Sequence, residues 1–234
     1  MTPEALFRGQ SLWQLLQISD QFFPTGAYAF SHALETYVAL RLVHNRTSCQ
    51  ALFENLCHNA LGPCDLVYCA QAFRLAAMQS LPGIVELDHR LTALKVPREL
   101  RLESRHTGQA FLRAALTLRP ASLVTDFWQQ VQQGTTPGHH AIAFGLVTQG
   151  LALLEEPALL AYLYTVTAGW VAAAVRLVPL GQTDGQRLLQ ALAPTLLDLM
   201  PYRQLTPEAA WSCTPGLDMR SMQHERLCSR LCRS

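Results

Sequence analysis

The sequence lacks the short motifs that mark several common enzyme sites. It has no Gly-x-Ser-x-Gly segment, which weakens the case for a serine hydrolase, and no Gly-x-Gly-x-x-Gly segment to bind a dinucleotide. The only lysine, Lys95, lies between Leu94 and Val96, so no Gly-Lys-Ser or Gly-Lys-Thr phosphate-binding loop is present. We therefore expect a chain that does not itself hydrolyse GTP or ATP through such a loop.

Charged residues are also scarce. They make up 15% of the 234 residues, half of the residues are hydrophobic, and the net charge is +1. This balance gives no support for nucleic-acid binding. A sparsely charged surface is typical of proteins that cover part of it with a partner, and it predicts that the isolated chain self-associates or aggregates. Apart from Lys95 and the histidines, every basic residue is an arginine. Arginine is enriched at protein interfaces, although a GC-rich coding bias explains the preference for arginine over lysine equally well.

A complete set of metal ligands at a recognisable spacing is missing. The chain has 7 cysteines and 8 histidines but no Cys-x-x-Cys pair. His32 and Glu35 are spaced to share a helix face, as are His224, Cys228 and Cys232. Zinc sites take four ligands, so we favour ordinary histidines and free thiols and leave a transient or intersubunit metal contact open. The odd cysteine count, with no apolar signal core at the N-terminus, predicts reduced thiols in the cytoplasm.

One long segment, residues 141–180, carries only three charges, on Glu155, Glu156 and Arg176. Residues 158–175 carry no charge. This uncharged run is just long enough to be a candidate membrane span, which needs about 18–20 residues. The segment is rich in alanine, however, and no Lys/Arg cluster flanks it to fix a topology. We favour a helix buried at the centre of a helical domain and keep a small helical membrane-associated protein as the alternative.

Apolar residues recur at helical spacing along most of the chain, without the alternation typical of a β-strand. The sequence predicts an all-α protein, with a single domain of about ten helices over residues 1–202 and a C-terminal tail or short helix over residues 203–234. Proline and glycine set the predicted boundaries. Pro24-Thr25-Gly26 is predicted to launch a helix, Gly62-Pro63 to end one, and Thr206-Pro207 to begin one.

Four stretches, taken together and in order, resemble one known family. The first is Leu15 to Glu35, with Pro-Thr-Gly-Ala-Tyr-Ala-Phe-Ser-His-Ala-Leu-Glu at its end. The second is Ser104-Arg105-x-x-Gly108, followed by Phe111-Leu112. The third is His140-Ala-Ile-Ala-Phe144-Gly145 together with Ala174 to Gln186, and the fourth is Pro215 to Glu225 with Arg-Leu-Cys-Arg-Ser closing the chain. The combination resembles the urease accessory proteins of the UreF family.

The resemblance implies an all-α, cytoplasmic and homodimeric protein that is not an enzyme and has no cofactor of its own. UreF-like proteins join the accessory protein UreD, also called UreH, and recruit the GTPase UreG. The assembly delivers nickel to apo-urease, and the UreF-like member is thought to couple GTP hydrolysis to that delivery. Neither nucleic acid nor membrane is an implied partner. The chain departs from the family pattern at Ala33, where glycine is common, at Cys232, where phenylalanine is common, and at Phe22-Phe23.

The matched stretches supply the candidate partner-binding residues. Tyr28, Ser31 and Glu35 are predicted to share one helix face, either for a partner contact or for a buried network. Arg176 ends the central helix, where we favour hydrogen bonds to the last carbonyls of its own helix, and the residues that follow are predicted to form a polar loop. The full set of candidates is Pro24, Gly26, Tyr28, Ser31, Glu35, Arg176, Gln182, Asp184, Asp218, Arg220, His224, Glu225, Arg226, Arg230 and Arg233.

The C-terminal tail is the strongest candidate for a recruiting element. If it is helical, Arg226, Arg230 and Arg233 recur along one side, whereas a frayed and solvated terminus is the plainer interpretation. Our hypothesis is that the tail orders when UreD or UreG binds. Two competing classes are a membrane protein built on residues 158–175 and a metal-dependent enzyme that uses the scattered histidines and cysteines.

Overall fold

The computed structural model describes residues 3–119, 121–225 and 232, and these residues form helices and connecting turns without a strand. The predicted all-α class is confirmed, as is a single helical domain. The α-helices are α1 (Pro3–Ser19), α2 (Leu34–Ala39), α3 (Arg46–Leu56), α4 (Val67–Ala77), α5 (Leu81–Leu94), α6 (Arg98–Leu118), α7 (Ser122–Gln132), α8 (His140–Gly150), α9 (Glu155–Leu177), α10 (Gln182–Asp198) and α11 (Pro215–His224).

The core is organised around α8, which packs against α4, α6 and α9. Every residue from His140 to Thr148 is buried, so α8 is apolar on all sides because it has no solvent face. The crossing with α4 is close. A Cβ atom on Gly145 would lie 2.3 Å from the carbonyl oxygen of Cys69, and glycine is therefore the residue that lets the two backbones meet.

The helix α9 is long and apolar enough to cross a membrane by length and composition, with a mean hydropathy of 1.6 in its most apolar window. Other parts of the protein cover 61% of that window. Leu159, Leu163 and Ala174 are among its fully buried residues, while Tyr164 is 46% exposed. The predicted burial of this helix in the domain is confirmed, and core helices of soluble proteins commonly pass the same test of length and composition.

The predicted helix end at Gly62-Pro63 is wrong. A π-helix, Cys57–Leu66, continues α3 into α4 without a break. The wider turn accommodates Pro63, which has no N–H to donate and whose ring would crowd the preceding turn of a regular α-helix. Nearby carbonyl groups receive donors from a later segment, since Trp211 N–H donates to Pro63 O (3.1 Å) and Cys213 N–H donates to Asn59 O (2.9 Å).

Two predicted helix starts are also wrong. After Pro24-Thr25-Gly26 the chain makes only a short 3-10 turn, Ala27–Ala29, and α2 begins at Leu34. His32 and Ala33 have φ angles of 54° and 61°, a left-handed conformation that no helix continues through. Thr206-Pro207 begins only a single turn, closed by the Ala209 N–H on Thr206 O at 3.0 Å, and the next helix, α11, starts at Pro215.

The loop before α8 is held by one buried carboxylate, that of Asp88 on α5. Its Oδ2 accepts hydrogen bonds from Thr136 Oγ1 and from the Gly138 N–H, both at 2.6 Å. Its Oδ1 accepts the His139 N–H at 2.9 Å, so three donors meet a single side chain that is 0% exposed. Burial raises the pKa of Asp88, and these hydrogen bonds oppose that rise. The result is a fixed entry into the central helix.

Candidate partner-binding site

Residues from several of the family-matched stretches lie near the C-terminal helix α11, which packs against α2 and α6. We call this place the tail junction and define it by Tyr28, Glu35, Glu99, Arg176 and His224. Glu35 lies on α2, Glu99 on α6, Arg176 at the end of α9 and His224 at the end of α11. Segments far apart in the sequence therefore build one local structure.

His224 lies at the centre of the tail junction. Its ring is 0% exposed, with Nε2 3.0 Å from Glu35 Oε2 and Nδ1 3.3 Å from Glu99 Oε2. Both carboxylates are less than a tenth exposed. Glu35 Oε2 also accepts the backbone N–H of Cys232 at 3.2 Å. Buried charges of this kind persist only with partners, so the histidine and the two glutamates depend on each other.

Arg176 fixes the other side of the tail junction. Its Nε donates to Ala172 O of its own helix at 3.3 Å, which agrees in part with the favoured prediction. The rest of the guanidinium reaches the 3-10 turn instead, where Nη2 donates to Phe30 O at 3.1 Å and Nη1 donates to Tyr28 O. Its Cζ lies 4.0 Å from the centre of the Tyr28 ring, a cation–π contact. Arg176 thus holds the turn that carries Tyr28.

The predicted shared face of Tyr28, Ser31 and Glu35 is wrong, because the left-handed residues His32 and Ala33 break the helical repeat between them. Ser31 is 0% exposed and Glu35 is 7% exposed, so both belong to a buried network. Tyr28 is 67% exposed and remains available to a partner. Of the two uses that the sequence left open, burial fits Ser31 and Glu35, and surface contact fits Tyr28.

Sequence reasoning missed a pair of acids on α6, Glu99 and Glu103. They are four residues apart and share a helix face, an arrangement that costs free energy unless each has a cation or donor nearby. Each of them faces a histidine from another segment: Glu99 faces His224, and Glu103 Oε1 lies 2.5 Å from His32 Nδ1. The spacing of the two acids was the signal in the sequence. His32 and Glu35, whose spacing would suit a shared helix face, do not form one, because His32 precedes the start of α2.

The remaining candidates occupy the surface around the tail junction or lie elsewhere. Pro24, Gly26 and Glu225 are exposed, and Arg220 Nη1 donates to Gln223 Oε1 at 2.6 Å. Asp218 is partly buried, and burial raises its pKa. Gln182 and Asp184 belong to the first turn of α10 rather than to the predicted loop, with Asp184 Oδ1 3.4 Å from Arg187 Nη1. Arg226, Arg230 and Arg233 lie outside the described residues.

Within residues 3–119, 121–225 and 232, no group of three or more His, Cys, Asp or Glu side chains is arranged to hold a metal ion. Four cysteines, Cys49, Cys57, Cys64 and Cys69, are buried as free thiols, Cys213 is exposed, and Cys228 lies outside the described residues. Burial raises the pKa of the Cys49 thiol to about 11 and that of Cys57 to about 12. These thiols are therefore protonated and part of the core.

Comparison with known proteins decides the family. The UreF family model matches residues 43–193, more than half of the chain. The chain belongs to the UreF family. The urease accessory protein UreF of Bacillus sp. (strain TB-90) is 31% identical over 221 residues, which is 94% of this chain and 97% of that protein. UreF of Actinobacillus pleuropneumoniae serotype 3 is 34% identical with the same coverage, and UreF of Haemophilus influenzae (strain Rd) is 31% identical over 94% of each chain.

These relatives match almost the whole chain, including the segments at both ends that the UreF model leaves out. The tail junction draws its parts from both regions, since Glu99 and Arg176 lie inside the matched residues 43–193 and Glu35 and His224 lie outside them. The relatives are named as accessory proteins of urease, and a role in urease maturation follows from that family membership.

Proposed function

We propose that this UreF-family chain is a non-catalytic cytoplasmic scaffold in urease maturation. In this proposal it joins UreD (UreH), recruits the GTPase UreG, modulates GTP hydrolysis, and so supports the insertion of nickel into apo-urease. The nickel ion is the cargo of the assembly rather than a resident cofactor of this chain. Family membership supports the pathway, and the chain's own surface supports the scaffold role.

The observation that carries the proposal is the construction of the tail junction. Its buried half, Glu35, Glu99 and His224, is occupied by contacts among these three side chains. Its outer half presents Tyr28, whose ring lies against the Arg176 guanidinium, and exposed Glu225. An exposed aromatic side chain with charged neighbours is typical of a protein-binding surface.

A second surface supports self-association into a homodimer. On α1, Leu12, Trp13 and Leu16 are 58%, 71% and 60% exposed, and Phe22 just beyond the helix is 96% exposed. Trp13, Leu16 and Phe22 line an apolar groove of about 520 Å³, together with Leu118 at the end of α6, which is 55% exposed. Exposed aromatic side chains concentrated in this way are typical of interaction sites.

Co-purification tests the scaffold proposal. A tagged chain is expressed with UreD and UreG, in full length and with residues 203–234 removed. We expect the full-length chain to retain both partners and the shortened chain to lose at least one, because the shortened chain lacks α11 and the tail. A full-length chain that retains neither partner would contradict the proposal.

A surface substitution separates the tail junction from the fold. Tyr28→Ala removes an exposed ring without removing a buried contact of Glu35 or His224. The matched control is His44→Ala, an exposed residue outside the family-matched stretches. We expect Tyr28→Ala to weaken partner retention by about tenfold, as loss of a well-placed interface aromatic does, and His44→Ala to leave it unchanged.

The membrane alternative rests on α9 alone and is separated by fractionation. A cytoplasmic scaffold remains in the supernatant when membranes are sedimented from cells that express the chain with its partners. Recovery of the chain in the membrane fraction, and its release only by detergent, would favour the alternative.

A further inference from the structure

The helix α11 is attached to the domain in an unusual way. It packs chiefly against α2 and α6, and its buried residues are Leu217, Ser221 and His224. Only Leu217 among them has a large apolar side chain, while Met219 and Met222 are 54% and 51% exposed. Burial of one leucine stabilises a contact by about 2 kcal/mol, little for a ten-residue helix. Among the described residues, the polar contacts of His224 are therefore a main part of the attachment.

Those polar contacts act as a unit. The His224 ring bridges Glu35 and Glu99, with nitrogen-to-oxygen distances of 3.0 and 3.3 Å on its two sides. If the ring leaves, each of these two buried carboxylates loses one of its partners, which is unfavourable for both. Detachment is consequently a single event that moves the end of α11 as a whole and admits water to this part of the protein.

A cavity of about 140 Å³ lies beneath α11; its lining is mainly apolar with a few polar groups, and it has room for several water molecules. Leu217 and Asp218 close it on the α11 side, while Cys64, His32 and Glu103 line it on the domain side. Among the described residues, no hydrogen-bond partner reaches the buried Nε2 of His32 or the buried Oε2 of Glu103. Ordered water commonly satisfies buried polar atoms of this kind, and the cavity has room for it.

We propose that α11 is a lid that opens and closes over this cavity, with the bridge from His224 to Glu35 and Glu99 as its latch. The opening is local: α11 leaves the domain while the core around α8 stays folded. Segments with few buried apolar contacts open at a lower free energy than the core of the same protein, and α11 is such a segment. The lid is a property of this chain alone and goes beyond the proposed scaffold function.

Cys64 is a natural reporter of the lid, since it lines the cavity and is 2% exposed. Burial raises the pKa of its thiol to about 12, so a maleimide reacts with it only when the cavity opens. Cys49 and Cys69 are 0% exposed and do not line the cavity, and they report opening of the core. Labelling of each cysteine in the intact chain is followed by peptide mass spectrometry.

The variant that tests the latch is His224→Ala, and its control is Gln223→Ala, an exposed neighbour on the same helix. We expect His224→Ala to raise the labelling rate of Cys64 by about thirtyfold or more, because loss of one partner from a buried ionic group is strongly unfavourable. Cys49 and Cys69 should keep their wild-type rates, and Gln223→Ala should leave all three unchanged. An unchanged Cys64 rate in His224→Ala, or a parallel rise at all three cysteines, would overturn the proposal.

Hydrogen exchange of the wild-type chain provides a test that needs no variant. The backbone amides of residues 219–224 should exchange at least ~100-fold faster than those of α8, since only the lid opens without unfolding of the core. Exchange of the two helices at the same rate would mean that α11 opens only with the whole domain, and the lid would be rejected.

Discussion

At the scale of single residues, Ala33 stands in a backbone conformation that suits glycine. Its φ angle is 61°, and its side chain is 1% exposed, so it cannot relax outward. The sequence marked this position only as a departure from the family, in which glycine is common. The structure gives a physical reason for glycine at this position: a left-handed residue with a Cβ atom costs about 1–2 kcal/mol relative to a right-handed one.

Ala33→Gly is therefore expected to stabilise the chain by about 1 kcal/mol, as relief of the left-handed strain outweighs the loss of one buried methyl group. Ala39→Gly, in the last turn of α2 with an exposed side chain, is the matched control and should destabilise by a similar amount. Urea denaturation at equilibrium measures both. A destabilised Ala33→Gly variant would show that the strain is smaller than the methyl group's contribution.

Two neighbouring histidines at the start of α8 lead to a pH prediction. Burial lowers the pKa of His139 and of His140 to about 3, against about 6.5 in an unfolded chain. Between about pH 3 and pH 6.5 the unfolded state binds more protons than the folded state. The free energy of unfolding therefore decreases as the pH falls below 6.5. The expected loss is about 1.4 kcal/mol per histidine for each full pH unit.

His140→Gln should remove about half of the pH dependence of stability that the two histidines cause between pH 7 and pH 5, because glutamine is of similar size and does not titrate. The His140 ring packs edge-on against Phe111 and Phe144, so some loss of stability at every pH is also expected. His44→Gln, at an exposed site, serves as the control. An identical pH dependence in His140→Gln and in the wild-type chain would contradict the buried, neutral state of His140.

At the scale of secondary-structure elements, the periodicity of the sequence predicted that segments are helical, but it did not predict where the helices begin and end. The pattern of apolar residues predicted a helical chain with a buried helix at residues 158–175, which lie within α9. The pattern failed at Pro63, because in the sequence a π-helix that contains a proline looks the same as the end of an α-helix. It failed again between Tyr28 and Glu35, where the apolar spacing is helical but the backbone at His32 and Ala33 is left-handed.

The crossing of α4 and α8 gives a prediction at this scale. In Gly145→Ala the added Cβ would meet the carbonyl oxygen of Cys69 at 2.3 Å, and the two helices would have to separate. We expect a loss of about 2–3 kcal/mol, the usual cost of overpacking a rigid core. Gly9→Ala on α1, where no atom lies within 4 Å of the new Cβ, should be neutral or stabilising. Equal stability of the two variants in urea denaturation would refute the tight crossing.

At the scale of the whole molecule, sequence composition foretold an apolar surface but not its position. Half of the residues are hydrophobic, and the structure gathers exposed ones on α1 and beside it. The family-matched stretches likewise predicted that the tail mattered, without predicting that His224 is buried between acids from two other helices. Contacts between residues more than a hundred positions apart, as in Glu99 with His224, leave no local pattern in one sequence.

The position of the apolar surface makes self-association testable. The triple variant Trp13→Ser, Leu16→Ser, Phe22→Ser removes most of the exposed apolar groove while leaving the core untouched. We expect sedimentation velocity to show a dimer or larger species for the wild-type chain and at least a tenfold weaker association for the variant. Met78→Ser, at a 73% exposed site away from the groove, is the control. Unchanged sedimentation of the triple variant would place the self-association surface elsewhere.

The central claim is that this chain acts in urease maturation as a scaffold and not as a catalyst. The most direct measurement is activation of purified apo-urease by UreD, UreG, GTP and nickel, with and without this chain, scored by urease activity and by nickel bound per active site. The account predicts activation with the full-length chain and a loss of most activation when the chain is omitted or when residues 203–234 are removed. Full activation in the absence of the chain would contradict it.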